Sequence, residues 1–335
     1  MKRSLFTIVV LAAAVQLALA AGAHHAAAAW LEEAIVSGRL VTLSLSREHH
    51  IEPPAEPAPT PPPVYAAPAV LERPLATPAP TPEPAKESPP DYGSIEIDNT
   101  TSLAIAPQEL MAEPLQLSLP KEGPQILIMH THGTESYAME PGWEYEESDL
   151  SRTTDPDYNM LRVGQELAAA FERHGLNVMH DTTLHDYPSY TGSYSRSGQT
   201  VESILAQHPD IAIVIDLHRD AIGSGDTIYK TQAEIPGTSS AQVMLLAGTG
   251  ENGLEHPNRL ENIKLALLLQ AAAESAHPTL MRPLAIRPER YNQQLSSGAL
   301  IIEVGSNGNT LQEAITAVQL FADAVSPTLL EYIEG

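Results

Sequence analysis

The sequence predicts an α/β fold with a mixed or mostly parallel central sheet and helices on both faces. Apolar runs rich in Ile, Leu and Val alternate along the chain with amphipathic stretches, which is typical of strands and helices packed in layers. The clearest strand-like runs cover residues 125–129, 211–217 and 300–302. Because these runs are almost continuously apolar, we expect strands that are covered on both faces of the sheet.

Three stretches have the pattern of helices. The first two cover residues 158–174 and 260–276, and each stops at a residue that terminates helices, a glycine and a proline respectively. Further along, Thr310 and Glu313 have the spacing of a capping box, in which each side chain bonds the backbone of the other. A last helix is therefore predicted to begin there and to run to Ala324.

Two stretches of different composition precede the patterned region. Residues 1–30 begin with Lys2 and Arg3 before an uncharged, mostly apolar run, which indicates an export signal or membrane anchor. Since this run approaches the ~20 residues that span a bilayer, we expect a retained single-pass anchor in the cell membrane, with the rest of the chain on the extracytoplasmic side. Residues 31–93 are predicted to be a proline-rich disordered linker, and residues 94–335 to be the folded domain.

Composition excludes several classes of function. The chain has 42 acidic and 18 basic residues and a formal net charge of −24, so no nucleic-acid partner is expected. It contains no cysteine, which excludes disulfides, a thiol nucleophile and thiolate metal ligands. Any metal must therefore be bound by His, Asp or Glu.

An ionisable residue follows each of the three apolar strands. His130 and His132 come after the first strand, His218 after the second and Glu303 after the third. Ligands of open α/β sheets bind beyond the carboxyl ends of such strands. Because buried strands have no structural need for ionisable residues at one edge, the sequence predicts a functional site there.

The residues at this edge have the chemistry of a zinc site. His132 and Glu135 have an H-x-x-E spacing, which lets an imidazole and a carboxylate reach one metal from a turn. His218 would be the third ligand, and catalytic zinc typically has three protein ligands and an open fourth position. His130 is an alternative to His132, because residues two apart in an extended segment point to the same side.

Further residues have candidate roles around this metal. Glu303 would be the general base that takes a proton from water, and the alternative is a structural ion pair with Arg219. Asp216 would orient His218 by accepting its other N–H.

Ligand contacts are predicted for polar residues on both sides of the second strand. Arg219 and Asp220 follow that strand, and Tyr194 and Arg196 lie in the polar stretch 189–197 before it. Arginine can bind a carboxylate with two hydrogen bonds, and tyrosine can lie against a sugar ring.

Four segments together resemble a known family. The stretch 126–137, ILIMHTHGTESY, resembles the signature of the stage II sporulation protein P family. Three further segments agree with that family in order and spacing: DPDYN at 155–159 with RVG at 162–164, SYSRS at 193–197, and IDLHRD at 215–220. The resemblance covers approximately residues 94–335, and the anchor and linker also match the layout of the family.

This resemblance implies an activity and partners. It implies a zinc-dependent N-acetylmuramoyl-L-alanine amidase with a zinc amidase-like fold in residues 94–335, a second activity on peptide cross-links, and a role in engulfment during endospore formation. The implied partners are peptidoglycan, a sporulation lytic transglycosylase and a polytopic membrane protein.

The broader zinc amidases of cell-wall turnover, to which this domain is similar, suggest which residues form the site. Their arrangement of a first histidine, a later histidine and a final glutamate matches His132, His218 and Glu303. Their acidic ligand opens the first helix, which selects Asp155, whereas the compact H-x-x-E spacing selects Glu135. We favour Glu135 and keep Asp155 as the alternative.

Two other functions are compatible with the sequence. The H-x-x-E motif followed by a distant histidine also describes zinc carboxypeptidases, which would trim the ends of wall peptides. The chain could instead be a non-catalytic wall-binding partner of another hydrolase. The candidate water-activating residues favour an enzyme, because a binding protein has no need of them.

Overall fold

The computed structural model describes residues 91–224 and 227–334. The predicted anchor at 1–30 and most of the linker at 31–93 lie outside these residues, so both stay predictions. Among the described helices, none combines the length and apolar character that a bilayer crossing requires.

Within this part of the chain, nine strands and five α-helices alternate. The strands are β1 (Ile97–Asn99), β2 (Ile126–Met129), β3 (Val178–His180), β4 (Ile213–Asp220), β5 (Gly223–Ser224), β6 (Thr227–Ile228), β7 (Val243–Gly248), β8 (Leu284–Arg287) and β9 (Gly298–Ser306). The helices are α1 (Pro107–Leu110), α2 (Met160–Arg173), α3 (Ser193–Gln207), α4 (Arg259–Ala276) and α5 (Leu311–Leu330). The predicted helices at 158–174 and 260–276 are confirmed as α2 and α4.

Seven of the strands form one sheet in the order β1-β8-β7-β9-β4-β2-β3. All neighbouring pairs are parallel except β7 and β9, which are antiparallel. The sheet therefore consists of two parallel blocks that run in opposite directions. The carboxyl ends of β2, β4 and β9 meet at one edge, as the sequence predicts for the strands that carry the candidate site.

Helices cover both faces of this sheet, and the predicted fold class is confirmed. One face, with Ile128 and Ile215, packs against α2, α4 and α5 in the main hydrophobic core. The opposite face, with Leu127 and Val214, packs against Val201 of α3. Because successive strand residues point to opposite faces, burial on both sides explains why the strands read as continuous apolar runs.

Three predicted element ends are wrong. β4 and β9 continue past the predicted ends of their apolar runs, so His218 and Glu303 lie inside strands instead of after them. The last helix, α5, continues beyond Ala324 to Leu330 and includes Pro327. Its final turns persist because Val325 and Leu329 are buried in the main core, which offsets the hydrogen bond that proline cannot donate.

The start of α5 contains the predicted capping box. Glu313 N donates to Thr310 Oγ1 over 3.2 Å, and Thr310 N donates to Glu313 Oε2 over 3.1 Å. The Glu313 carboxylate also accepts bonds from Lys230, Ser239 and Asn309 at 2.7, 2.9 and 2.9 Å. This buried carboxylate therefore joins α5 to the segment that connects β6 with β7.

Replacing Glu313 with glutamine is expected to lower the free energy of unfolding by about 2–3 kcal/mol at neutral pH, because the amide cannot satisfy the four donors. Burial raises the pKa of Glu313, but the hydrogen bonds from Lys230 and Asn309 outweigh burial and hold this pKa below its ordinary value. The contribution is thus present above the pKa of the unfolded chain and is lost as pH falls through the lower pKa of the folded state.

Urea unfolding at neutral pH and in acid measures this effect. The difference between wild type and Glu313→Gln should shrink in acid, whereas exposed Glu331→Gln at the opposite end of this helix should change stability by less than about 0.5 kcal/mol at either pH. Equal stability of wild type and Glu313→Gln at neutral pH would contradict the prediction.

Candidate metal centre

The turn after β2 carries two of the candidate ligands. His132 and Glu135 are both buried, and Glu135 N donates to His132 O over 3.2 Å. Nδ1 of His132 lies 3.8 Å from Oε1 of Glu135. A Cβ at Gly133 would lie only 2.9 Å from the side chain of Leu184, so a glycine lets this turn pack closely. The H-x-x-E spacing thus forms a compact, buried pair.

The third candidate ligand lies on β4. Asp216 and His218 are two residues apart on this strand and share one face. Nδ1 of His218 lies 3.6 Å from Oε2 of Glu135, and its Nε2 lies 2.8 Å from Oδ1 of Asp216. Thr131 holds Asp216 through its backbone N–H at 2.7 Å and its hydroxyl at 2.6 Å. The Asp216 carboxylate therefore lies against Nε2 of His218, while Nδ1 of the same imidazole faces Glu135.

The protonation of these groups is coupled. Burial opposes charge on His218, but Asp216 and Glu135 outweigh it and raise the pKa of this imidazole well above its ordinary value. Burial likewise opposes charge on Glu135, but His218 lowers the pKa of Glu135 to about 2. Burial and repulsion by His218 lower the pKa of His132 to about 4. Glu135 and His218 therefore favour the charged form, whereas His132 favours the neutral form.

The geometry fits a divalent metal ion. One ligand atom from each of His132, Glu135 and His218 lies within 4.8 Å of the others. Both imidazoles turn Nδ1 toward the carboxylate, while their Nε2 atoms lie 3.1 Å from Ser193 Oγ and 2.8 Å from Asp216 Oδ1. Metal-binding imidazoles are usually held by a partner on the second nitrogen in this way. Two imidazoles and one carboxylate are a donor set of catalytic zinc sites.

Glu303 lies beside this cluster. It is the register partner of His218 across the β4–β9 pair, so the two side chains share one face of the sheet. Burial raises the pKa of Glu303 to about 8, with help from neighbouring carboxylates and against the effect of His218. Its Oε2 atom is buried and has no hydrogen-bond partner in the described part of the chain. This carboxyl group can therefore exchange a proton near neutral pH.

The two alternative ligands lie away from the cluster. His130 contacts the carbonyl of Leu217 at 3.0 Å and Nε2 of His180 at 2.8 Å. This histidine pair packs against α2 at Gly164, where a Cβ would lie 2.6 Å from His180. Asp155 is exposed and accepts a backbone N–H two residues later. The structure therefore brings neither residue to the candidate metal position.

The residues directly after His218 are engaged with protein groups. Arg219 is buried and donates to the backbone carbonyls of Ser136 and Ser151, each at 2.8 Å. Asp220 pairs with Arg282 at 2.7 Å. Arg219 therefore braces the turn that carries the candidate ligands, and it does not pair with Glu303 among the described ion pairs. Its predicted contact with a ligand stays a prediction.

Tyr194 and Arg196 lie in the first turn of α3. The Tyr194 ring is edge-on to His132, with ring centroids 5.6 Å apart. Arg196 donates from Nε to the carbonyl of His185 at 2.6 Å and from its terminal nitrogens to two carbonyls of the loop 189–191. Tyr194 thus lines the site, whereas Arg196 fixes the loop before α3.

Sequence reasoning missed two residues at this site. Arg152 contacts Glu135, and Asp186 contacts Arg152, but neither follows a strand, and both lie in long loops. One signal could have found the arginine. Arg152 is the only Lys or Arg between Lys121 and Arg162, within a stretch rich in Asp and Glu.

The fold and the site together define an α/β protein with a buried His–Glu–His cluster suited to a divalent metal. The sequence model of the family described as stage II sporulation protein P (SpoIIP) matches residues 77–326. Stage II sporulation protein P of Bacillus subtilis (strain 168) is 30% identical over 264 residues. The chain therefore belongs to the stage II sporulation protein P family, as its motifs predict. The match covers 72% of this chain and 61% of the B. subtilis protein.

Several solved amidase structures are similar in fold. They include the CwlD amidase from Clostridioides difficile in complex with the GerS lipoprotein, with 13% identity, TM-score 0.38, and coverage of 62% of this chain and 98% of that chain. N-acetylmuramoyl-L-alanine amidase AmiC2 of Nostoc punctiforme has 14% identity and TM-score 0.36, with coverage of 64% and 96%. The catalytic domain of the amidase CwlV from Bacillus (Paenibacillus) polymyxa has 13% identity and TM-score 0.37, with coverage of 62% and 98%.

Proposed function

We propose that this chain is a zinc-dependent peptidoglycan hydrolase of sporulation. The bond cut would be the amide between the lactyl group of muramic acid and the L-alanine of the stem peptide, as in N-acetylmuramoyl-L-alanine amidases. Membership of the stage II sporulation protein P family supports the sporulation role, which would be engulfment. A second activity on peptide cross-links is part of the same proposal.

One observation carries the zinc-dependent hydrolysis. Candidate ligand atoms of His132, Glu135 and His218 converge within 4.8 Å, and Glu303 lies on the adjacent strand in register with His218. A metal-ligand set with a neighbouring carboxylate of raised pKa is the minimum that metal-assisted amide hydrolysis requires.

The candidate site residues have separate roles. His132, Glu135 and His218 would hold the ion, and Ser193 and Asp216 keep the two imidazoles oriented. When bound, zinc would supply Lewis acidity at the amide carbonyl and at water.

Glu303 would move the proton. It accepts a proton from the attacking water, whose hydroxyl adds to the carbonyl carbon, and it gives that proton to the departing amine as the C–N bond breaks. Burial raises the pKa of Glu303, so this carboxylate accepts a proton more readily than an exposed one. One water is consumed, and the products are a lactyl carboxylate and a free stem peptide.

The location and partners are also proposals. The composition of residues 1–30 and 31–93 supports an enzyme that is anchored in the cell membrane and reaches the wall from its extracytoplasmic side. A lytic transglycosylase and a polytopic membrane protein are the proposed sporulation partners. Membrane fractionation of cells that express the full chain, followed by protease accessibility, tests the anchoring.

Digestion of purified peptidoglycan by the full chain, with products identified by mass spectrometry, tests the activity. We expect intact stem peptides to be released from the glycan strands, release to stop after treatment with a zinc chelator, and added zinc to restore it. Release of single amino acids would instead indicate the carboxypeptidase. Wall binding with no product, with zinc and with the partner hydrolase present, would favour the non-catalytic function.

A further inference from the structure

We infer that Arg152 is a positioning residue for the metal centre: its two terminal nitrogens tie the candidate ligand Glu135 to Asp186 and thereby fix which carboxylate oxygen faces the metal. This inference rests on the proposed metal-dependent function. It adds a residue outside the candidate ligand and base positions, from a loop that the sequence motifs do not include.

The two terminal nitrogens of Arg152 contact different carboxylates. Its Nη2 lies 3.2 Å from Oε1 of Glu135, and its Nη1 lies 2.6 Å from Oδ2 of Asp186. The Asp186 side chain is fully buried and also accepts the backbone N–H and hydroxyl of Thr134. Because Arg152 is anchored by a buried carboxylate, it can hold Oε1 of Glu135 in one place. Oε2 is the oxygen that faces Nδ1 of His218.

Arg152 also reaches the other candidate ligand through an aromatic ring. Its guanidinium carbon lies 4.9 Å from the ring centroid of Tyr190, within cation–π distance. The Tyr190 ring stacks on the His132 imidazole, with centroids 4.6 Å apart and planes inclined by 20°. Arg152 thus contacts Glu135 directly and His132 through Tyr190, while the ring of Tyr190 keeps solvent from one face of His132.

The backbone places Arg152 there independently of its side chain. Residues 135 and 152 form an antiparallel bridge, Thr153 N donates to Thr134 O at 2.8 Å, and Ser136 N donates to Ser151 O at 3.1 Å. A variant at position 152 should therefore keep the docking of this loop against the ligand turn. The side chain can be changed without displacing the backbone around it.

Loss of the Arg152 charge and loss of ligand orientation would change metal affinity in opposite directions, so the inference can be tested. A cation beside the site repels a metal ion, so loss of the charge alone would strengthen metal binding. Loss of ligand orientation would weaken it, and partners of this kind contribute about 10–100-fold in metal affinity. Lysine keeps the charge but is a single point donor that cannot bridge two carboxylates as the guanidinium fork does.

The experiment compares the full chain with Arg152→Lys. We expect the zinc dissociation constant, measured by competition with a chromophoric chelator, to rise by about 10-fold or more. The visible absorption of bound cobalt should change as well, because this spectrum reports the ligand geometry. Arg162→Lys is the matched control, because Arg162 pairs with the single carboxylate of Glu166 on the surface of α2, and it should change neither measurement.

Asp186→Asn provides a second test if Arg152→Lys unfolds. It removes the anchor of the guanidinium and should also weaken zinc binding and change the cobalt spectrum. Wild-type zinc affinity and an unchanged spectrum in a folded variant, or tighter binding, would overturn the inference alone. A wild-type chain that bound zinc but left peptidoglycan intact would overturn the proposed function and leave the positioning role measurable. A wild-type chain that bound no zinc would overturn both.

Discussion

Replacing His218 with alanine is expected to abolish zinc binding and peptidoglycan hydrolysis. His218 is the one candidate ligand on β4, and its Nδ1 faces Glu135 at 3.6 Å. Its loss leaves two protein ligands, fewer than catalytic zinc sites use. We expect zinc affinity to fall by more than about 100-fold, since even residues that only orient ligands contribute about 10–100-fold. Hydrolysis should fall by about 10³-fold or more, because the Lewis acidity of the ion contributes several kcal/mol.

Zinc titration and release of stem peptides, measured on the same preparations, test this expectation. His174→Ala is a matched control, because His174 pairs with Asp323 at the surface, 2.8 Å apart, and touches none of the candidate ligands. It should keep wild-type zinc affinity and activity. Thermal unfolding establishes that both variants are folded. A folded His218→Ala variant that still released stem peptides at the wild-type rate would rule out the proposed metal centre.

Replacing Glu303 with glutamine is expected to slow hydrolysis without weakening the binding of zinc or peptidoglycan. Glutamine has nearly the same size, but it cannot accept the proton of water or return it to the leaving amine. Hydrolysis should fall by about 10²–10⁴-fold, the usual contribution of general acid–base catalysis. Because Glu303 lies beside the candidate ligands without belonging to the His132–Glu135–His218 set, zinc affinity should stay within about threefold of wild type.

Three measurements on Glu303→Gln test this: the hydrolysis rate, zinc affinity and co-sedimentation with purified peptidoglycan. The variant should lose only the first. Glu172→Gln on the exposed side of α2 replaces a carboxylate by the same amide away from the site and should lose none. Wild-type hydrolysis by Glu303→Gln would exclude Glu303 as the general base. Loss of zinc binding would instead indicate that Glu303 is a metal ligand.

The sequence predicts the fold class because the burial of each strand can be inferred from that strand's own residues. Continuous apolar runs require cover on both faces, and the intervening amphipathic stretches supply it, so the layered α/β architecture follows from periodicity. The capping box at Thr310 and Glu313 is equally local and is confirmed. The antiparallel pairing of β7 with β9 could not be predicted in this way, because strand direction depends on how distant segments dock.

Part of the candidate site also follows from residues that are close together in sequence. The H-x-x-E spacing places His132 and Glu135 in one turn, and the i, i+2 spacing places Asp216 and His218 on one face of β4. Alternation could not separate His130 from His132, because the strand ends at Met129 and the chain turns, which directs His130 toward α2.

Long-range packing decides the remaining features. Asp155 stays exposed, whereas Glu135 is buried between His132 of its own turn and His218 of β4. Arg152 reaches Glu135 from a loop with no regular periodicity, through backbone pairing that no local pattern encodes. The sequence by itself determined which residue types could bind a metal and near the ends of which apolar runs they lie. Only the tertiary structure decided which of them meet, because their contacts depend on chain segments that are far apart in sequence.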